Sequence, residues 1–234
     1  MIQKHSIILW KKAGEKTIEE ISDYGYRVLD ILQEYPIDFR PNYLTALSKN
    51  EIKKIEWNRY NFKNELMKGV NKEGGMIFND LGYSISFLSS LDKQNCVSIS
   101  LNIGNSSEKF YDTLIIGFPI SWNFFDKNIS QMIYSLFERL VQVYMPFWGC
   151  VSNRALYKKY GKYLEKDMPT SIYWINYWSK YIVDNVGINK IWKIEKENPL
   201  VLFRNGILSI KDIAIDANRE DDIKLIAELR EELF

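Results

Sequence analysis

Histidine and cysteine are nearly missing from this sequence: one His, His5, and two Cys, Cys96 and Cys150, among 234 residues. A single imidazole near the start of the chain is too little, and too poorly placed, for a Ser-His-Asp triad or a histidine metal centre. Two cysteines far apart, with no Cys-x-x-Cys, make no disulfide framework, and Cys96 reads as a small buried apolar residue opening a strand. Also missing are Gly-x-Ser-x-Gly, a glycine-rich phosphate loop and His-Glu-x-x-His. No run approaches the ~20 apolar residues that cross a bilayer. The short apolar run ending at Trp10 is followed at once by Lys11, Lys12, Glu15 and Lys16, with no small-residue cleavage site. No signal peptide is therefore expected, and the cytoplasm is the expected compartment. Neither charge dominates: 31 Lys and Arg against 30 Asp and Glu give +1, which leaves no global field for nucleic acid or an anionic membrane. The expectation is a protein with no cofactor, no metal and no catalytic group.

What the chain does have is apolar material, 46% of residues, with 15% aromatic. A chain of this size buries roughly 70–75% of its unfolded surface, so a substantial core is possible. The stretch from Gly75 to Pro119 organises it. Tyr83, Ile85 and Phe87 alternate with Ser84 and Ser86; Val97, Ile99, Leu101 and Ile103 alternate with Ser98, Ser100 and Asn102. Successive strand side chains point to opposite faces, so each strand has one greasy face and one small polar face. Short polar connections predict sequential antiparallel pairing, a meander. The third run, Leu114 to Phe118, is apolar on both faces and should lie deeper in the sheet.

Around the meander, Ser6 to Lys11 reads as a strand. Thr17 and Glu20 have capping-box spacing before a helix carrying Ile21, Tyr24, Val28, Ile31, Leu32 and Tyr35 on one stripe, ended by Pro36. Phe39 to Leu47 looks extended. Ser48 to Glu51 offers a second capping box ahead of a less regular helix reaching about Lys68. Asn128 or Ser130 should cap the strongest helix, with Met132, Ile133, Leu136, Phe137, Leu140, Val141 and Tyr144 packed on the sheet until Pro146. Phe147 to Asn153 reads as a strand and Arg154 to Lys166 as a basic segment that could be a short helix. Asn205-Gly206 between two apolar runs predicts a hairpin with a primed turn. Asn218 should cap a last helix bearing Ile223, Ile226, Leu229 and Leu233. No repeat and no low-complexity linker divides the chain, so one α+β domain over residues 1–234 is expected: a mainly antiparallel central sheet, meander plus C-terminal hairpin, with amphipathic helices packed on it.

Two features exceed what a bland surface needs. One is the aromatic group Trp148, Tyr173, Trp174, Tyr177 and Trp178, since such rings concentrate at binding hot spots. Alternation separates Tyr173, Ile175 and Tyr177 from Trp174, Asn176 and Trp178, so one set should face outward. The other is a charge asymmetry: Asp212, Asp216, Glu220, Asp221, Asp222, Glu228, Glu231 and Glu232 crowd the C-terminus, while Arg154, Lys158, Lys159, Lys162 and Lys166 form a basic stretch. An acidic helix would suit a basic partner. The candidate contact residues are Trp148, Trp174, Trp178, Asp216, Glu220, Asp221 and Asp222. A different class of reading, a small hydrolase, would need Asp80, Asp212 or Asp216 to converge in a pocket. A third, a scaffold, would use an exposed aromatic patch to form a homodimer.

Several stretches are similar, in order over nearly the whole chain, to the bacterial immunity protein 52 family. They are Leu9-Trp10, Asp80-Leu-Gly-Tyr-Ser-Ile-Ser-Phe, Val97-Ser-Ile-Ser-Leu-Asn-Ile-Gly104, Trp174-Ile-Asn-Tyr177 and Phe203-Arg-Asn-Gly-Ile-Leu-Ser-Ile210. The resemblance implies an α+β domain with a central sheet. It also implies a protein that binds a cognate polymorphic toxin, often one with a nuclease domain, and blocks it by stoichiometric occlusion. A specific interface of that kind buries ~1,200–2,000 Å².

Overall fold

In the computed structural model, which describes residues 4–45, 52–78, 80–92, 94–161 and 163–234, the chain opens on strand β1 (His5–Lys12). Helix α1 (Ile18–Asp30) follows with the predicted capping box: the Glu20 amide donates to the Thr17 hydroxyl, and Thr17 N–H donates to the Glu20 carboxylate at 2.8 Å. The helix expected to run on toward Pro36 tightens instead into a 3-10 turn, Ile31–Glu34, and a second turn covers Ile37–Phe39. Of the extended run expected to Leu47, the described part holds only the short strand β2 (Tyr43–Leu44), which pairs with β3 (Lys53–Lys54). The second capping box, Ser48 to Glu51, lies outside the described residues. Helix α2 (Arg59–Lys68) starts later than predicted and is capped by Asn58.

After a small hairpin of β4 (Lys72–Glu73) and β5 (Met76–Ile77) comes the meander: β6 (Leu81–Leu88), β7 (Ser98–Asn105) and β8 (Tyr111–Gly117), paired antiparallel in sequence as alternation required. Helix α3 (Lys127–Tyr144) is capped by Asp126, whose carboxylate accepts from two backbone amides; Ser130, one of the predicted caps, donates its hydroxyl to Phe124 O instead. Pro146 does stop this helix: Met145 before it turns left-handed, φ 47°.

Next come β9 (Trp148–Asn153), α4 (Arg154–Tyr160), the hairpin β10 (Leu164–Glu165) and β11 (Met168–Pro169), and β12 (Ile175–Trp178). Two helices with no counterpart in the sequence reading follow, α5 (Lys180–Val186) and α6 (Ile188–Glu197). Strands β13 (Leu202–Arg204) and β14 (Ile207–Ser209) form the predicted hairpin, with Asn205 and Gly206 both at positive φ as a primed turn demands. Helix α7 (Glu220–Leu233) closes the chain; its N-cap is Arg219 rather than Asn218.

Among the described residues, ten strands make one antiparallel sheet in the order β13-β14-β12-β9-β1-β8-β7-β6-β2-β3, with helices packed on it. The protein is α+β. Register puts Ile7, Ile116, Ile99 and Phe87 in one row and Leu9, Leu114, Leu101 and Ile85 in the next, all on the same face and all buried. Helices α1, α2 and α3 cover that face. A Cβ added at Gly25 of α1 would meet Ile103, Phe62 and Leu101, and one added at Gly149 would meet Leu9 and Phe137 of α3.

The opposite face is treated differently along its length. At β9 and beyond, the segment from α4 to β11 and the end of α7 lie over it, so Trp148 stacks on Trp10 at 4.4 Å and touches Tyr163, while Trp178 meets Phe234 at 6.1 Å. Across β8, β7 and β6 the same face is uncovered. Its row of Ser86, Ser100 and Ile115 leads directly into buried Ile8 and Cys150. The third meander run does lie deeper in the sheet, between β1 and β7, but only its helix-covered side is buried, and its outer residue Ile115 is 39% exposed.

His5 is also not at a loose end. It is 3% exposed and stacks on Phe124 with ring centroids 4.2 Å apart, because β1 lies in mid-sheet between β8 and β9. Cys96 is half-buried ahead of β7, whereas Cys150 is buried in β9.

Candidate interaction surface

Of the aromatic residues singled out in the sequence, Tyr177 is half-buried and the other four do not face outward. Trp148, Trp174 and Trp178 are 0%, 2% and 1% exposed, and Tyr173 is fully buried. Alternation was right about two faces and wrong about solvent. Strand β12 sits between β14 and β9, with residues buried on both sides, as in any strand covered from above and below. Trp174 Nε1 donates to Lys211 O at 3.0 Å, anchoring the loop ahead of α7. A side chain with no accessible surface offers a partner nothing to touch, so these three residues hold the C-terminal layer together instead.

The four acidic candidates divide. Asp222 is 4% exposed; it pairs with Lys211 Nζ at 2.8 Å and accepts from Asp216 N–H at 2.8 Å. It is a clamp between the β14–α7 loop and the first turn of α7. Asp216 is half-buried, and its carboxylate accepts from Asn218 N–H at 2.9 Å. Only Glu220 and Asp221 stand exposed in that first turn, where negative charge also suits the positive end of the helix. Glu228, Glu231 and Glu232 continue the exposed acidic side.

The basic and acidic segments meet. Arg154, Lys158 and Lys159 are exposed on α4, Lys166 occupies the β10–β11 turn, and Lys162 lies outside the described residues. Between this segment and the end of α7 runs a groove of about 710 Å³ with Met168, Pro169, Val186 and Leu233 in its lining and Lys190 and Glu231 among its charged groups. Arg230 ties its sides: Nε donates to Thr170 O at 2.8 Å and the guanidinium sits 5.3 Å over the Tyr160 ring.

One residue the sequence reading missed belongs to this region. Trp192 on α6 is 57% exposed, the most exposed tryptophan among the described residues. A signal existed: Ile191 and Ile194 fall on the buried stripe of α6, and Trp192 falls off it. Helix α6 packs against α7, so the exposed indole and the exposed carboxylates belong to one helical layer.

The carboxylates needed by a hydrolase are not brought together. Asp80 precedes β6 and Asp212 follows β14, strands six places apart in the sheet, on the order of 30 Å at the usual strand spacing. Among the described residues no group of three or more His, Cys, Asp and Glu is arranged to hold a metal ion, and no helix is long and apolar enough to cross a membrane.

No protein-family model matches the chain, and no curated protein matches it in sequence. Its fold is similar to that of a Pseudomonas aeruginosa T6SS protein, with a TM-score of 0.65 over 99% of this chain and 76% of that one, at 10% sequence identity. At that identity the likeness is one of fold alone.

Proposed function

We propose that this protein is an immunity protein of a bacterial toxin system, acting in the cytoplasm of the producing cell by docking on a cognate toxin and occluding it one to one. The observation that carries the reading is the helical layer in which exposed Trp192 and the exposed carboxylates Glu220 and Asp221 sit on two helices packed together. An exposed aromatic anchor, with exposed carboxylates on the helix packed against its own, is the kind of pairing a specific, electrostatically steered interface uses. The partner's matching surface is then basic, as in the substrate groove of a nuclease. The sequence resemblance to immunity proteins supports the reading, as does a fold shared with a T6SS protein. The work is done by shape and surface, with no turnover.

Coexpression with the toxin encoded by the neighbouring gene tests this. A stable complex of one copy of each on a sizing column is expected, with association slowing as salt rises. Trp192→Ala should weaken the complex at least ~30-fold, about 2 kcal/mol, and Asp221→Lys should slow association most at low salt. Separate elution of the two proteins overturns the reading. A dimer of this chain that Trp192→Ala dissolves would reassign the layer to self-association.

A further inference from the structure

The open half of the sheet carries a second depression, about 390 Å³, which the docking surface does not use. Three of its lining residues are aromatic. Trp10 is held by stacking on Trp148 at 4.4 Å and by Tyr163 at 5.1 Å. Tyr111 is fixed by its hydroxyl bond to Asp167 and by stacking on Phe147. Phe110, at the β7–β8 turn, is 48% exposed. Two of these walls are therefore held by their neighbours, and the third is exposed.

The floor is neutral and hydrogen-bonding. Asn102, Thr113 and Trp10 lie in one row of paired residues on the open face. Asn102 is held in place: Nδ2 donates to Ser84 Oγ at 2.9 Å and Oδ1 accepts from Asn105 Nδ2 at 2.7 Å. Those bonds use one of its two N–H groups and one of two lone pairs. The Thr113 hydroxyl has no partner among the described residues. The floor thus offers donors and acceptors, pre-set and unspent, between aromatic walls.

We propose that the depression bounded by Trp10, Phe110 and Tyr111 over Asn102 and Thr113 binds a neutral saccharide ring. A sugar presents C–H faces that lie on aromatic rings and hydroxyls that both donate and accept, which matches Thr113 and the half-used amide. A purely apolar ligand would bury that floor unpaired, at a cost. An anion would find one lining cation, Lys109, and an aromatic wall whose hydroxyl is already bonded to Asp167. The volume lies at the low end of the ~300–1,000 Å³ typical of small-molecule sites, which suits one or two rings.

Saturation-transfer NMR and tryptophan fluorescence on the full chain test it, with glucose, galactose, N-acetylglucosamine and their β-1,4 dimers as probes and adenosine and uridine as comparison ligands. At least one saccharide should saturate with a Kd of about 1 mM or tighter. Thr113→Val, on the outer face of β8, and Phe110→Ala, at the β7–β8 turn, should each weaken it ~10-fold, about 1.4 kcal/mol, with the thermal midpoint unchanged. Overturning results are no saturation by any saccharide up to ~50 times that concentration, preference for a nucleoside, or binding that both variants leave intact. Toxin capture through the α6–α7 layer stands or falls separately, since Phe110→Ala leaves that layer untouched.

Discussion

The same face of one sheet is solvent-exposed over β6 to β8 and deep core over β9 to β14, and the strands alone do not say which is which. Along a single row, Ser86 and Ser100 share a hydrogen bond in the open at 2.9 Å, Ile115 is partly exposed, and Cys150 and Asn176 are fully buried. What differs is what crosses above. The chain after β9 folds back over its own half of the sheet, pinned at the β10–β11 turn where Asp167 meets Lys12 and Tyr111. Beyond that contact with Tyr111 at the start of β8, none of the described residues after β9 pairs with the outer face of the meander. Cover, not strand composition, sets burial here, and substitutions on the two halves should differ accordingly.

The largest difference is expected between Trp148→Ala and Ser100→Ala. Trp148 is fully buried among Trp10, Tyr163 and Tyr173, and deleting it should remove roughly 3–5 kcal/mol of stability. Ser100→Ala on the open half should stay within about 0.5 kcal/mol. Urea unfolding of both variants measures this directly. Comparable losses would mean that the meander face is covered in solution, and the comparison would break.

How far this division was legible in the sequence follows from the range of the forces involved. Alternation, the Thr17–Glu20 box and the Asn205-Gly206 turn are local, and each predicted its element. The outward placement of Trp174 and Trp178 failed because it depended on where residues 154–173 and α7 would lie, a long-range matter that a strand's own pattern does not contain. The candidate surface was legible in part: Glu220 and Asp221 are exposed as read, but Asp222, one residue on, is spent on Lys211. Trp192 went unseen because no helix was assigned to Ile188–Glu197. Its turns lack a side-chain cap, the local mark by which α1 was found.

A second contrast sets neighbouring carboxylates against each other. Asp222→Ala strands Lys211 Nζ, whose side chain is 14% exposed, and unties Asp216 N–H; breaking such a buried pair costs about 3–5 kcal/mol. Asp221→Ala, on the exposed side of the same turn, should change stability by no more than about 0.5 kcal/mol. Thermal or urea midpoints decide it. The double variant Lys211→Met with Asp222→Leu should recover most of the loss, because an apolar pair of similar volume leaves no charge uncompensated. Failure to recover would show that the bond to Asp216 N–H, rather than the ion pair, holds the α7 entry.

The smallest effect compares the two faces through adjacent lysines. Lys11 points to the helix-covered face, donating to Tyr144 O at 3.2 Å and to the Tyr24 hydroxyl at 3.3 Å. Burial, with Lys16 adding to it and Asp112 opposing, pushes its ammonium down to about 8 from 10.5. Between those values the unfolded chain holds a proton that the folded chain has released, so stability rises with pH across that window. Tyr24 and Tyr144 work the other way. Burial chiefly, and in both cases Asp112 as well, raises their hydroxyls, so above about pH 10 the unfolded chain ionises while the folded one does not, and stability falls. A shallow maximum near pH 10 is expected. Its rising limb should be worth about 1 kcal/mol, since the half-exposed Lys11 is screened by solvent. Lys11→Met should flatten that limb and keep the falling one. Lys12→Met, on the other face beside Asp167, should leave both limbs in place. If Lys11→Met retains the rise, the covered face does not hold its lysine as tightly as the packing of α1 and α3 over β1 requires.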